Sequence, residues 1–120
     1  MKKRMNMARR RMNHVVSELT HALLLAGSRE LNLRLVREDE GLRLHIQAGF
    51  APENQDAVER MAFLLQPAIR DPALVETYWE LAGEDQYTSD SEMALVGQML
   101  DEAKAEIGPG EVHLELYLAF

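Results

Sequence analysis

Leu31-Asn32-Leu33-Arg34-Leu35 and Leu42-Arg43-Leu44-His45-Ile46-Gln47-Ala48 each alternate apolar and polar side chains without a break. Successive residues of a strand point to opposite faces, so each segment reads as a strand with one greasy side and one polar side. Such alternation belongs to an antiparallel sheet covered on one face only. The polar stretch Arg37-Glu38-Asp39-Glu40-Gly41 joins the two as a hairpin loop. Parity limits the register: Leu35 opposite Leu42 keeps the leucines on one face and sets Arg34 beside Arg43. Two like charges directly opposite are unfavourable and invite an acidic neighbour.

Outward from this hairpin the same periodicity argument places the other elements. Upstream, Met12, Val15, Val16, Leu19, Ala22, Leu23 and Ala26 follow helical spacing, with Met5 and Ala8 extending the stripe and Gly27-Ser28 ending it. Leu24 and Leu25 fall off that stripe, so the last turn is apolar nearly all round and is either buried on two sides or meets another subunit. Downstream, Pro52 opens a helix with Val58, Met61, Ala62 and Leu65 inward, stopping before Pro67. Asp71-Pro72 opens another, carrying Leu74, Val75, Tyr78, Leu81 and Ala82 to Gly83. After an acidic loop over Glu84–Asp90, Ser89-Asp90-Ser91-Glu92 reads as a capping box. It starts a helix with Met93, Val96, Met99, Leu100, Ala103 and Ile107 inward, ended by Gly108-Pro109-Gly110. A last strand follows, with Val112, Leu114, Leu116, Leu118 and Phe120 alternating with His113, Glu115 and Tyr117. The expected order is α-β-β-α-α-α-β. The fold class is α+β, with two layers: a three-stranded antiparallel or mixed sheet packed on about four helices. Residues 1–120 form one domain, of which 1–11 are a basic N-terminal extension.

The composition agrees with a folded domain: 120 residues, 47% hydrophobic and 28% charged. Without cysteine, disulfides and thiolate metal sites are excluded. The run Ala22–Ala26 is too short to span a bilayer, and Ser17, Glu18, Thr20 and His21 interrupt any signal-peptide core. A cytoplasmic location is expected. Lys2, Lys3, Arg4, Arg9, Arg10 and Arg11 put +6 on the first twelve residues, so the rest carries −13 against a total of −7. Such an acidic body disfavours nucleic acid except along the basic arm.

Four groups of residues have chemistry to offer. Arg34, Arg43, His45, His113 and Glu115 share the polar sheet face, where histidines suit proton transfer and paired arginines suit a carboxylate or phosphate. Their convergence depends on strand order, and a solvated sheet face accounts for the same alternation. His14, Glu18 and His21 share one face of the first helix at metal-ligand spacing, but HExxH is absent and a solvated helix face explains them; no metal is expected. Trp79, on the flank of its helix stripe, is either partly buried core or an interface residue together with Leu24 and Leu25. Tyr87 is placed as a lid over the core. There is no GxSxG, P-loop, GxGxxG or paired CxxC, so no catalytic residues and no cofactor are assigned.

The helix carrying Ser17-Glu18-Leu19-Thr20-His21-Ala22, the hairpin after it, and Ala94-Leu95-Val96 leading through Gly108-Pro109-Gly110 into a final strand resemble a GHKL-type ATPase domain. That family includes the ATP-binding domains of histidine kinases and of anti-sigma-factor kinases. The likeness covers about two thirds of the chain, chiefly in the order of elements. The family's helix has a magnesium-binding Asn four positions after a Glu; here Ala22 follows Glu18. Its Asp-x-Gly-x-Gly loop is replaced by Gln47-Ala48-Gly49-Phe50, and its second glycine-rich lid is missing. The resemblance therefore implies an interaction domain without nucleotide chemistry. The expected function is a non-catalytic regulatory or protein-interaction module that binds a protein partner, self-associates as a homodimer or other homo-oligomer, or does both. The alternative is an enzyme or sensor that takes a nucleotide or other small molecule on the polar sheet face.

Overall fold

The structure, a computed structural model, describes residues 2–66 and 84–120. Helix α1 (Lys2–Leu25) leads into strands β1 (Leu31–Arg37) and β2 (Gly41–Gly49), a 3-10 turn at Pro52–Asn54 and helix α2 (Gln55–Leu64). Helix α3 (Glu84–Met99) is followed by β3 (Glu102–Gly108) and β4 (Glu111–Ala119). The four strands form one antiparallel sheet in the order β1-β2-β4-β3. The α+β class and the antiparallel sheet agree with the sequence. The element count does not: the sheet has four strands, and the described residues hold three α-helices.

The extra strand comes from what reads as the end of a helix. Ala103 and Ile107 fit a helical stripe begun at Met93, but they fit the two-residue alternation Glu102-Ala103-Lys104-Ala105-Glu106-Ile107 equally well. Tertiary context decides: α3 stops at Met99, and residues 102–108 pair with β4. Pro109-Gly110 makes the two-residue turn between them. Proline presets φ for the first central position and Gly110 takes φ +74° at the second, the arrangement of a type II turn. α3 is already helical at Glu84, so the expected acidic loop over Glu84–Asp90, including Tyr87, is helix and the expected capping box lies inside it. The helix expected over Asp71–Gly83, with Trp79, lies outside the described residues.

The β1–β2 register is shifted by two residues from the expected one. Leu35 faces Leu44, Leu33 faces Ile46 and Arg37 faces Leu42, because the hairpin closes more tightly, with the Glu38 N–H donating to the Gly41 carbonyl at 2.8 Å. A shift of two preserves the faces, so the leucines stay together. It does separate the arginines: Arg34 faces His45, and Arg43 faces Val36.

The core lies between the helices and the apolar side of the two central strands. Leu42, Leu44, Ile46 and Ala48 of β2 and Val112, Leu114, Leu116 and Leu118 of β4 are buried. Above them sit Ala8, Met12, Val15, Leu19 and Leu23 of α1, Val58, Met61 and Leu64 of α2, and Met93 and Val96 of α3. α1 begins at Lys2, so the basic arm forms its first turns, with Ala8 and Met12 buried and Arg9, Arg10 and Arg11 exposed. Its C-terminus is closed by Gly27 at φ +93°: the Gly27 N–H donates to the Leu24 carbonyl and that of Ser28 to Leu23. A Cβ at Gly27 would stand 2.9 Å from that of Ala51, so the chain has no room for a side chain there. The Ala51 N–H and the Asn54 side-chain amide both donate to the Ala26 carbonyl, and the Ser28 hydroxyl donates to that of Gly49. These bonds tie the helix end to the end of β2.

Candidate functional site

Strand order decides which polar residues meet. β2 and β4 are neighbours, so alternate residues of both strands line the sheet face away from the helices in ranks across all four strands. One rank is Val36, Arg43, Tyr117 and Glu102; the next is Arg34, His45, Glu115 and Lys104; a third is Asn32, Gln47, His113 and Glu106. No helix among the described residues packs on this face.

Arg43 is at the centre of the first rank and its charge is consumed there. Its Nε donates to Glu38 Oε2 at 2.8 Å, and its Nη1 lies 3.3 Å from Glu115 Oε2 and 3.5 Å from Glu102 Oε2. The guanidinium also rests over the Tyr117 ring, 4.6 Å from its centroid. The acidic neighbour that the arginine pair calls for is therefore supplied three times over, to Arg43 alone. The hydrogen bond from Arg43 holds the Glu38 carboxyl below the usual carboxylate range, and the same bond holds the guanidinium proton more firmly. Partial burial, reinforced by Glu38 and Glu40, raises the Tyr117 phenol.

Beside this cluster, His45 Nδ1 lies 3.7 Å from Glu115 Oε1, and the His45 and His113 rings are 6.3 Å apart, tilted by 36°. Lys104 Nζ approaches Glu115 from the far side at 3.9 Å. A shallow hollow of about 220 Å³ opens next to His113, lined also by Gln47, Glu106, Gly108 and Glu111. Of the five residues expected here, Arg43, His45, His113 and Glu115 converge, while Arg34 stands exposed on the outer strand opposite His45. No family model, no curated protein and no solved structure matches this chain.

Glu102, Lys104 and Glu38 also belong to this face and are not expected from the sequence, the first two because their stretch reads as helix and Glu38 because it lies in the hairpin loop. The charged alternation Glu102-Lys104-Glu106 was the available signal. Glu115 lies within 4 Å of three basic groups, Arg43, His45 and Lys104, so neither carboxylate nor arginine has spare charge. An arginine neutralised by three carboxylates is a poor anion receptor: it would have to give up existing charge-assisted bonds to take a phosphate.

The interface residues expected on α1 are open. Leu24 is 56% exposed and Leu25 68%. β1 adds a patch whose alternation reads as core. Leu33 and Leu35 point to the helix side of the sheet, yet they remain 40% and 53% exposed. The reason is position: α1 packs over β2 and β4, and β1 is the outer strand beyond it.

Proposed function

We propose that this protein is a non-catalytic interaction module that self-associates through the free edge of β1. The carrying observation is that β1, seven residues long, lies at the edge of the sheet and presents Leu33 and Leu35, which no described helix covers. An edge strand offers a row of unpaired N–H and C=O groups, a template for another strand. Two copies of β1 pair best antiparallel about Leu33. That register sets Leu31 opposite the partner's Leu35 and Asn32 opposite Arg34. Centring on Arg34 would put two arginines face to face, which costs stability.

The reading also accommodates the resemblance to GHKL domains. Glu18 turns towards α3, while Ala48 and Phe50, where that family binds nucleotide, are buried in the core. A relative that has exchanged nucleotide contacts for packing keeps the scaffold and uses its surface. Size-exclusion chromatography with light scattering across a concentration series tests the proposal. A dimer at high concentration that Leu33→Lys converts to monomer supports it; a monomer throughout removes it.

A second reading rests on His45, His113 and the hollow beside them, which suit a small polar ligand. Melting curves with a panel of nucleotides and carboxylates check it, since a ligand that binds only the folded chain raises Tm.

A further inference from the structure

We propose that His14, Glu18 and Glu92 bind a divalent transition-metal ion that clamps α1 to α3. His14 and Glu18 are one turn apart on α1, next to the buried stripe of Val15 and Leu19. α3 packs on this side of α1 and brings Glu92 to them from a different part of the chain. One ligand atom from each residue lies within 4.8 Å of those of the other two. Metal–ligand bonds of roughly 2.0–2.2 Å separate the donors of one coordination shell by about 3–3.5 Å. The remaining gap, about 1–2 Å, is on the scale of a side-chain rotation.

Charge favours the same occupant. Two carboxylates share the spot with one imidazole, and no lysine or arginine among the described residues forms an ion pair with either carboxylate. A dication removes the repulsion between them. The donor set selects the class: an imidazole with two carboxylates suits zinc or manganese, whereas magnesium and calcium prefer oxygen throughout. All three residues are half-buried, so the chain supplies three ligands and leaves a position for water. His21, which shares the polar face of α1 by spacing, is exposed and lies outside the cluster.

The test uses the full chain, stripped with a chelator and dialysed. Zinc is titrated by calorimetry and cobalt by visible absorption, whose d–d bands report the ligand geometry. One-to-one binding is expected for both, with a rise in Tm on zinc addition and none on magnesium. His14→Ala and the isosteric Glu92→Gln each weaken zinc binding by at least about tenfold, while His21→Ala leaves it unchanged. Circular dichroism of each variant confirms that it is folded, and the half-buried positions allow that. The proposal is overturned if the wild-type chain takes up neither metal, if both variants bind as well as wild type, or if binding is lost in His45→Ala or His113→Ala instead.

Discussion

The sheet has two edges and treats them differently. β3 pairs with β4 through small residues, Ala103 and Ala105, which with Ile107 tuck against the core, while Glu102, Lys104 and Glu106 project from its polar side. β1 carries large leucines on its inner side, and they remain half in solvent. Charge and small size protect the first edge from other chains. The second has the composition of a buried strand without the burial. Size of side chain, then, does not set burial; position relative to α1 does.

Leu35 and Leu44 give the sharpest form of this contrast, since they are cross-strand partners of the same type, 53% and 1% exposed. Leu44→Ala should cost about 3 kcal/mol in chemical denaturation, because it leaves a cavity in the central strand. Leu35→Ala, measured at concentrations that favour monomer, should cost less than about 1 kcal/mol. Equal losses would show that β1 is covered in solution. Self-association follows in size. Leu33→Lys should weaken the dimer by at least about tenfold, or about 1.4 kcal/mol, by sedimentation equilibrium, and Lys104→Ala on the other edge should leave it unchanged.

Next comes the charge cluster. The Glu38 carboxyl is held below its usual range by Arg43, so its contribution is present above the unfolded value of about 4.3 and is lost as pH falls through the folded one. Arg43→Met should therefore melt below wild type at pH 7, with the gap narrowing in acid below about pH 4. A gap of constant width between pH 7 and pH 3 would mean that Arg43 acts through packing on Tyr117 alone. The smallest effect is expected at Lys104, whose exposed link to Glu115 is worth about 0.5 kcal/mol or less, and less still in high salt.

The sequence carries much of this layout but not all. The stripe of α1, the inward residues of α2, the alternation of β1, β2 and β4 and the polar composition of the open sheet face follow from side-chain period alone. Ala103 to Ile107 do not, because alanine at every second position suits helix and strand alike and only pairing with β4 chooses. The convergence of His45 with Glu115 is also out of reach of local pattern, since it needs β2 beside β4. Glu92 was visible only as part of a cap; its place next to His14 and Glu18 depends on how two helices pack. For the same reason the leucines of β1 read as core: alternation reports which face a side chain takes, not whether anything lies over it.

The arrangement β1-β2-β4-β3 also sets an order of assembly. Each outer strand reaches its neighbour through a connection of two or three residues, so both hairpins close over short stretches of chain. The seam at the centre joins segments separated by both α2 and α3, and closing that long loop costs the most chain entropy. Joining the two hairpins is accordingly the expected slow step. Ile46→Val and Leu114→Ala, on facing positions of that seam, should slow refolding in stopped-flow measurements, whereas changes within either turn should mainly speed unfolding.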